Sequence, residues 1–249
     1  MTLTKDDRPV CVVTGAASGI GAASARLLAR RGRTVVCADR DVPAAVAVAD
    51  EIGGRALSLD VADPASCDRL VADVLATEGR IDSLVHCAGI WVPQRAEDTE
   101  LEVFERIVDV NVKGTFRIAR AVAVAMIGQG RPGSMALLGS VNSIRANAGQ
   151  LAYAASKGAV LQLGQVLALE WAEHDIRVNV VAPGLTRTAM MAGVLDQGVP
   201  GVDAVVARTP MQRAADPAEI AETIEFLVSD RASYTTGSFV TVDGGWLAD

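Results

Sequence analysis

Residues 10–21 read VCVVTGAASGIG and decide the fold class of this chain. The stretch begins with a run of apolar, mostly β-branched residues, as is typical of a buried strand, and it ends in a glycine-rich turn. A segment rich in alanine and leucine follows over Ile20 to Arg31, with the periodicity of a helix. Glycine allows a backbone to turn tightly beside a pyrophosphate, and the N–H groups and dipole of a helix N-terminus favour negative charge. The stretch therefore predicts a dinucleotide site, the alternative being a purely structural turn.

The same alternation of strand and helix continues along the chain. The seven predicted strands are Val10 to Thr14, Thr34 to Ala38, Ala56 to Leu59, Ser83 to Cys87, Ser134 to Leu138, Arg177 to Val181 and Phe239 to Val242. The six predicted helices are Ile20 to Arg31, Ala44 to Ile52, Pro64 to Glu78, Val103 to Gln129, Tyr153 to Glu173 and Pro217 to Ser229. This pattern predicts an α/β fold, a Rossmann-like doubly wound parallel sheet of about seven strands with helices on both faces.

The length and composition favour a single domain. A chain of 249 residues with 50% hydrophobic content can bury one large core, so we expect residues 1–249 to form one dinucleotide-binding domain. The stretch over about 185–213 interrupts the alternation and holds Gly198, Pro200 and Gly201 but no strand pattern. We expect this insertion to be a substrate loop, because long insertions of this kind are usually lids or binding loops.

Charge and cysteine usage restrict the partners and the location. The net charge of -7 gives no basic face for nucleic acid and no polybasic patch for a membrane surface, so a small molecule is the expected partner. The longest purely apolar stretch, Ala121 to Ile127, is far too short to span a bilayer. The cysteines at positions 11, 37, 67 and 87 are scattered and lack CxxC spacing, which favours reduced thiols. We therefore expect a cytoplasmic protein.

Asp39 stands at the end of the second predicted strand, 18 residues beyond Gly21. An acidic residue at about this spacing meets the adenosine ribose in dinucleotide-binding folds and accepts hydrogen bonds from its hydroxyl groups. A 2'-phosphate would be repelled there, and the acidic neighbours of Arg40 oppose the use of that arginine as a phosphate ligand. The sequence therefore favours NAD over NADP. The alternative is that Asp39 caps a helix or a turn.

Tyr153 and Lys157 stand at the start of a long helical segment. Their i, i+4 spacing places the phenol and the ammonium on one helix face. A tyrosine has an ordinary pKa of about 10, and a nearby cation favours the phenolate. Lys157 is therefore expected to lower the pKa of Tyr153 towards the range in which the phenol exchanges protons. The alternative is a solvated helix face.

Further motifs accompany this pair in a fixed order: Asp60-Val61, Cys87-Ala88-Gly89, Asn111, Ser140 and Pro183-Gly184. Together with TGxxxGIG at 14–21 and YxxxK at 153–157, they closely resemble the motifs of the short-chain dehydrogenase/reductase family. The resemblance covers nearly the whole chain. It implies an enzyme that transfers a hydride between NAD(H) and a secondary alcohol or ketone.

The resemblance also implies four catalytic residues. Tyr153 would be the general acid/base, and Ser140 would orient and polarise the substrate oxygen. Lys157 would tune Tyr153 and hold the nicotinamide ribose, while Asn111 would support a water-linked proton path. General acid/base chemistry agrees with these roles, because one group near neutral pKa serves both directions of the reaction. Taken alone, Ser140 fits a simple strand-end hydroxyl, and Asn111 fits a turn or helix cap.

Coenzyme contacts and assembly follow from the same resemblance. Asp60 and Val61 are expected beside the adenine, and Thr188 beside the carboxamide. The resemblance implies a homotetramer in which the long helices Val103 to Gln129 and Tyr153 to Glu173 pack against the same helices of a second subunit. Both helices carry more apolar residues than one sheet-facing stripe needs, which agrees with this expectation. The full set of expected coenzyme contacts is Gly15, Ser18, Gly19, Ile20, Gly21, Asp39, Arg40, Asp60, Val61, Cys87, Ala88, Gly89, Asn111, Tyr153, Lys157, Pro183, Gly184, Thr186 and Thr188.

One motif departs from the family pattern. The chain has His86-Cys87-Ala88-Gly89 where the family usually has two asparagines before Ala-Gly, which puts local hydrogen bonding in doubt more than catalysis. We expect His86 to be a core residue and His174 a surface residue. No spacing of residues suggests a metal site.

The substrate is less well defined by the sequence. Candidate substrate contacts are Trp91, Asn142, Arg145, Gln150, Met190, Met191 and Leu195. Trp91 equally fits a core position, the methionines an interface, and Arg145 a solvated surface. Two rival functions stay open: a 3-oxoacyl-thioester reductase, and a coenzyme-sensing protein that has lost turnover.

Overall fold

A computed structural model of the chain describes residues 8–188, 190–191 and 202–248. Seven parallel strands form one sheet in the order β3-β2-β1-β4-β5-β6-β7. They are β1 Val10–Thr14, β2 Thr34–Asp39, β3 Arg55–Ser58, β4 Ser83–His86, β5 Gly133–Leu138, β6 Ile176–Pro183 and β7 Phe239–Val242. The predicted doubly wound parallel sheet is confirmed, and each predicted strand agrees with the observed one to within about two residues.

Helices lie between the strands. In the described part of the chain they are α1 Gly19–Arg30, α2 Val42–Ile52, α3 Pro64–Glu78, α4 Leu101–Val108, α5 Gly114–Gln129, α6 Leu151–Trp171, α7 Val202–Arg208 and α8 Pro217–Val228. Three of them begin in the same way, because Asp41, Asp63 and Asp216 each accept a hydrogen bond from a backbone N–H of the first turn, and a proline occupies that turn. Side-chain caps and first-turn prolines fix where a helix starts.

The prediction of one continuous helix over Val103 to Gln129 is wrong. α4 and α5 are separated by a π-helical turn, Asp109–Lys113, in which the backbone accommodates an extra residue. Asn111 lies in this turn and is 1% exposed. Its side chain bonds to a loop and to α6, as described below, and these bonds explain why the helix is irregular here.

The insertion over about 185–213 is only partly described. It contains α7, which the sequence analysis did not predict, and Thr186 pairs with Ala215 across its base. Residues 189 and 192–201, including the candidate Leu195, lie outside the described residues.

The sheet is buried on both faces, which explains why its strands are nearly continuous apolar runs. One core cluster packs the sheet against α3, α5 and α6, for example through Leu70, Ile118 and Val160. The other packs it against α1 and α8, through residues such as Leu28 and Ile224.

The strand order places a crevice beside β1 and β4. From β1 the chain runs outward to β2 and β3, and it then returns to β4 on the other side of β1. Ligands of open α/β sheets bind at the carboxyl ends of the strands where the order reverses in this way. The glycine-rich turn follows β1 and therefore lies at this position.

Candidate active site

The glycine-rich turn between β1 and α1 requires glycine at two positions. Gly15 has a φ of +67°, and a Cβ atom there would lie 2.8 Å from the backbone nitrogen of Ala88. A Cβ atom on Gly21 would lie 2.1 Å from the carbonyl oxygen of Gly15. Real Cβ atoms do not approach so closely, so the turn closes against α1 and against the loop after β4 only because side chains are absent.

The N-terminus of α1 fits a pyrophosphate. Ser18 precedes the helix in an extended conformation, its side chain makes no capping hydrogen bond, and no acidic residue lies in the first turn. Gly19 and Ile20 form that first turn. The N–H groups of this turn therefore face no side-chain cap or carboxylate from the turn itself, which is the arrangement that binds phosphate groups.

Asp39 lies at the end of β2, beside the same turn. Its Oδ2 accepts a hydrogen bond of 3.0 Å from the N–H of Ala17, and its Oδ1 accepts one of 2.9 Å from the N–H of Asp41. The cap of α2 is Asp41, which accepts from the N–H of Ala44, so Asp39 is not the helix cap. Each carboxylate oxygen can accept a second hydrogen bond. Asp39 therefore positions the glycine-rich turn and retains the capacity to bind a ribose diol, with exposed Arg40 next to it.

The other predicted coenzyme contacts lie along the carboxyl edge of the sheet. Exposed Asp60 and buried Val61 follow β3, and Cys87, Ala88 and Gly89 follow β4. Pro183 ends β6, and Gly184, Thr186 and Thr188 follow it. Among them, Thr188 lies against the glycine-rich turn, since its Cγ2 is 3.1 Å from the position that a Cβ on Gly19 would occupy. The glycine-rich turn and the start of the insertion therefore meet.

Cys87 is not a reactive thiolate in this cleft. Burial raises its pKa to about 12, although the nearby Lys157 opposes the rise. The thiol therefore stays protonated at neutral pH, and the residue acts as a small apolar side chain.

Ser140 and Tyr153 face each other at the carboxyl edge. Ser140 follows β5 and caps the short turn Val141–Ser143, where its Oγ accepts a hydrogen bond of 3.1 Å from the N–H of Asn142. Tyr153 lies in the first turn of α6, and the Ser140 hydroxyl is near enough to lower the pKa of the Tyr153 phenol. The two predicted catalytic hydroxyl groups therefore lie at the same place on this edge.

Lys157 lies one turn further along α6 and is 5% exposed. Its Nζ donates a hydrogen bond of 2.6 Å to the carbonyl oxygen of Leu138 and lies 5.6 Å from the centre of the Tyr153 ring. Burial lowers the pKa of Lys157 to about 8. The ammonium group is therefore held at a fixed point beside Tyr153, with a pKa near the neutral range.

The sequence predicts that the pKa of Tyr153 is lowered, and this prediction is wrong. Burial raises the pKa of Tyr153 above its ordinary value, and the hydrogen bond with Ser140 opposes this rise. Burial prevails because removing a phenolate from water disfavours the charged form. The sequence shows the spacing of Tyr153 and Lys157 but not how deeply the phenol is buried.

The side chain of Asn111 connects the π-helical turn with the loop after β4 and with α6. Its Oδ1 accepts a hydrogen bond of 2.8 Å from the N–H of Ile90, and its Nδ2 donates to the carbonyl oxygen of Ile90 at 2.9 Å and to Ser156 Oγ at 3.0 Å. Gly89 packs against it, since a Cβ there would lie 3.3 Å from Asn111 Oδ1. The side chain of Asn111 therefore positions the loop after β4 relative to α6.

His86 replaces the usual asparagine with a directional chain of hydrogen bonds. Its Nε2 lies 3.0 Å from Thr115 Oγ1, which donates to the carbonyl oxygen of Asn111, so Nε2 carries the proton. Its Nδ1 then accepts from Thr14 Oγ1 at 2.7 Å. Burial lowers the pKa of His86 to about 3, so the ring is neutral. The departure from the family motif therefore leaves β1, β4 and the π-helical turn connected.

The candidate substrate residues form two groups. Asn142 donates to Gln150 Oε1 at 2.5 Å and accepts from Asn147 at 2.7 Å, next to Ser140 and Tyr153. Arg145 lies with its guanidinium 5.1 Å from the centre of the Trp246 ring. Asn147 and Trp246 were not among the predicted residues, because nothing in their spacing distinguishes them from ordinary loop residues.

The remaining candidate substrate residues are Met190, Met191 and Trp91. Met190 is 47% exposed and Met191 is partly buried, and both lie just after Thr188. Trp91 is partly buried in the loop after β4.

Among residues 8–188, 190–191 and 202–248, no group of three metal-ligating side chains is close enough to hold an ion, and no helix is long and apolar enough to cross a membrane.

Comparison with known proteins identifies the family. A family model described as enoyl-(acyl carrier protein) reductase matches residues 15–247. The oxidoreductase UcpA of Salmonella typhimurium is 37% identical over 245 residues, covering 94% of this chain and 92% of that protein. The 3-oxoacyl-acyl-carrier-protein reductase FabG of Escherichia coli is 37% identical over 238 residues, covering 95% of this chain and 96% of that protein.

A solved structure agrees with these relatives. The gluconate 5-dehydrogenase of Burkholderia cenocepacia, in complex with NADP and tartrate, superposes with a TM-score of 0.92 at 31% identity, covering 97% of this chain and 96% of that one. The chain belongs to the short-chain dehydrogenase/reductase family, an oxidoreductase family that acts on CH–OH groups with nicotinamide coenzymes.

Proposed function

We propose that this protein is an NAD(H)-dependent oxidoreductase that interconverts a secondary alcohol and a ketone, with Tyr153 as its general acid/base. The observation that carries the proposal is the buried ammonium of Lys157, which lies 5.6 Å from the centre of the Tyr153 ring, with buried Ser140 at the same edge. These three groups lie at the carboxyl edge of the sheet, next to a glycine-rich turn that fits a pyrophosphate. When bound there, NAD supplies the hydride acceptor.

Each side chain has a defined part in this reaction. Tyr153 takes the proton of the substrate hydroxyl in oxidation and returns it in reduction. Ser140 holds the substrate oxygen next to the phenol, and the backbone N–H of Asn142 orients the serine hydroxyl. By resemblance to the family, Lys157, whose ammonium lies 5.6 Å from the centre of the Tyr153 ring, would favour the phenolate and hold the nicotinamide ribose. Asn111 acts as a positioning residue and supports a water-linked proton path to Lys157.

The preference for NAD rests on Asp39. A carboxylate at the end of β2 accepts hydrogen bonds from the ribose hydroxyls and repels a 2'-phosphate. The gluconate 5-dehydrogenase of Burkholderia cenocepacia was solved with NADP. Membership of the family therefore does not decide between NAD and NADP, and the proposal depends on Asp39. Asp39 is fixed by two backbone N–H groups, which supports a dedicated position for its charge.

We also propose that residues 1–249 form one domain and that the protein is a cytoplasmic homotetramer. α5 exposes Phe116 and Val124, and α6 exposes Val166 and Leu169, the last at 80%. Exposed apolar side chains on neighbouring helices favour contact with a second copy. Light scattering should give four times the monomer mass of 25.8 kDa. The four free cysteines agree with a reducing compartment.

A second candidate function is the reduction of 3-oxoacyl thioesters. The 37% identity with FabG of Escherichia coli over nearly the whole chain favours it. The net charge of -7 opposes it, because an acidic carrier protein would be repelled. Assays of a 3-oxoacyl thioester and of simple ketones, each with NADH and with NADPH, separate the two candidates.

The reaction is tested by Tyr153→Phe, which removes the proton-transferring hydroxyl and keeps the ring. Turnover of any accepted alcohol should fall by at least about 100-fold, since general acid/base catalysis typically contributes 100- to 10,000-fold. NADH binding and the far-UV dichroism spectrum should be unchanged.

The matched control is Tyr234→Phe. Tyr234 is the only other tyrosine, and it is fully exposed. Its loss should leave turnover unchanged. Near-normal turnover in a folded Tyr153→Phe protein would contradict the proposed role.

A further inference from the structure

Ser143, in the short turn after β5, has no part in the reaction as proposed above. It lies three residues beyond Ser140, and its side chain is partly buried. Its Oγ donates a hydrogen bond of 2.8 Å to the main-chain carbonyl oxygen of Lys157 and accepts one of 3.3 Å from the N–H of Ser140. One hydroxyl therefore joins the backbones of two residues to which the proposed reaction gives chemical roles.

The hydrogen-bonding capacity of a serine suits this connecting position. A serine hydroxyl has one donor and two acceptor sites. The donor of Ser143 goes to Lys157, and one acceptor site takes the N–H of Ser140. Lys157 lies within α6, and its carbonyl oxygen has two lone pairs, so it accepts from Ser143 without giving up its place in the helix. Alanine at position 143 would remove both hydrogen bonds at once.

The residue before Ser140 is confined by the same hydroxyl. The N–H of Gly139 donates to the carbonyl oxygen of Val181 at 2.8 Å. A Cβ atom on Gly139 would lie 2.7 Å from Val180 Cγ1 and 3.3 Å from Ser143 Oγ. The chain therefore enters the turn between β6 and the Ser143 hydroxyl, where there is no room for a side chain.

Helix α6 is attached to this turn at two points, one on each side of Ser140. Before Ser140, the carbonyl oxygen of Leu138 accepts a hydrogen bond of 2.6 Å from Lys157 Nζ. After Ser140, Ser143 Oγ donates to the carbonyl oxygen of Lys157. The first bond depends on a long side chain with several rotatable bonds, whereas the second joins the turn to the helix backbone through a short one. The bond from Ser143 therefore sets the distance between the turn and the helix more strictly.

This distance matters because Ser140 and Tyr153 must act on one substrate oxygen. Tyr153 is part of α6, and Ser140 begins the turn. Catalytic groups are effective only when they are held close to their productive geometry. The N–H of Asn142 orients the Ser140 hydroxyl within the turn, and Ser143 places the turn on the helix.

We propose that Ser143 is a positioning residue, whose hydroxyl holds the turn of Ser140 at a fixed distance from Tyr153 and Lys157 and thereby supports the rate of the chemical step. This inference rests on the proposed function. In this role Ser143 acts through Ser140 and not on the substrate. Its removal should therefore lower kcat and leave the binding of coenzyme and alcohol nearly unchanged.

The first test is Ser143→Ala, assayed with NAD on 1-phenylethanol, cyclohexanol, D-glucitol and D-gluconate. With each compound that the wild type oxidises, kcat should fall by about tenfold, because a displaced serine loses part of its productive geometry. The KM values for that compound and for NAD should change less than about threefold.

Ser134→Ala is the matched control. Ser134 lies at the amino end of β5, where its Oγ donates a hydrogen bond of 3.0 Å to the carbonyl oxygen of Val228 at the end of α8. This variant also removes a serine hydroxyl that joins β5 or its turn to a helix. It should therefore lower the urea midpoint about as much as Ser143→Ala does, but it should leave kcat unchanged.

The second test examines whether Ser143 acts through Ser140. In a protein that already carries Ser140→Ala, no serine hydroxyl remains to be positioned. Adding Ser143→Ala to that protein should therefore lower the residual rate by less than about twofold, measured with enzyme in excess over NAD. A general disturbance of the site would instead lower the rate by the same factor in both backgrounds.

The outcomes separate this inference from the proposed function. An unchanged kcat in Ser143→Ala, an equal loss in Ser134→Ala, or a full further loss in the Ser140→Ala background would overturn the positioning role while the alcohol oxidoreductase stands. Absence of turnover by the wild type with all four compounds and with a 3-oxoacyl thioester, despite NADH binding, would overturn both.

Discussion

The coenzyme side and the substrate side of the crevice differ in how completely their hydrogen bonds are formed. On the coenzyme side, Asp39 accepts from two backbone N–H groups, and His86 connects Thr14 with Thr115. On the substrate side, Trp91 Nε1, Gln94 Oε1 and Trp246 Nε1 are buried without partners in the described structure.

This difference reflects two ways of preparing a site. A coenzyme shared by a whole family is met by a preorganised backbone, in which glycines and a fixed carboxylate set the geometry in advance. Buried polar atoms of the loops after β4 and β7 have no such partners, so this part of the carboxyl edge is less completely hydrogen-bonded. Substitutions on the coenzyme side should therefore weaken binding through steric clashes, and substitutions on the substrate side should weaken it through the loss of polar contacts.

The largest effect is expected from Gly21→Ala on the coenzyme side. The new Cβ would lie 2.1 Å from the carbonyl oxygen of Gly15, so the glycine-rich turn must open and the N-terminus of α1 must move. NADH affinity, measured by fluorescence titration, should fall by about 100-fold or more, because loss of a few kcal/mol of phosphate binding corresponds to that factor.

Gly128→Ala is the matched control for this variant. Gly128 lies in α5, and nothing lies within 4 Å of a Cβ added there. Alanine should leave NADH affinity unchanged and stabilise the protein by about 0.5–1 kcal/mol. Normal NADH affinity in Gly21→Ala would show that the turn is not preorganised by close packing.

A smaller effect is expected from Asp39→Asn, which removes the charge and retains the size of the side chain. At about 4 Å and an effective dielectric constant of about 20, each unit of repulsion against a 2'-phosphate is about 4 kcal/mol before screening. Wild type should therefore use NAD at least about 100-fold more efficiently than NADP, and the variant should narrow that ratio.

The measurement is kcat/KM with both coenzymes. Asp50→Asn in α2 makes the same change of charge away from the glycine-rich turn and should keep the wild-type ratio. A wild type that prefers NADP, or an unchanged ratio in Asp39→Asn, would show that Asp39 does not meet the ribose.

The smallest effect concerns His86 and appears only in acid. Its folded-state pKa is about 3 against an ordinary 6.5, so the unfolded chain takes up a proton first as pH falls. The contribution of the neutral His86 ring to the free energy of unfolding is present above pH 6.5 and is lost as pH falls towards 3. His86→Asn cannot titrate, so between about pH 7 and pH 5 wild type should lose about 2 kcal/mol more unfolding free energy than the variant.

Urea denaturation at the two pH values measures this difference. His174→Asn, at the exposed second histidine, should retain the wild-type dependence. Parallel curves for wild type and His86→Asn would mean that His86 is not held neutral by burial.

The sequence was informative where local pattern decides structure. The glycine-rich turn, the strands and the spacing of Asp39, Ser140, Tyr153 and Lys157 were all accessible, because short motifs and hydrophobic periodicity encode them. The pKa direction of Tyr153 was not accessible, since it depends on burial by residues distant in sequence.

The substrate side was accessible only in part. Asn142, Arg145 and Gln150 were candidates because they lie near catalytic residues in the chain. Gln94 and Trp246 reach the same edge from other loops, and no periodicity marks them. Only the three-dimensional structure shows that they have buried polar atoms without partners.

The π-helical turn Asp109–Lys113 also sets the rotational phase of α4 relative to α5. Each residue of an α-helix turns the chain by about 100°, so one residue more or less between the two helices rotates every side chain of α4 by that angle relative to α5. Ile107, fully buried at the end of α4, faces the core only in the present phase. A single-residue deletion in this turn would therefore act on α4 as a rotation, and it would expose Ile107 without changing any residue of that helix.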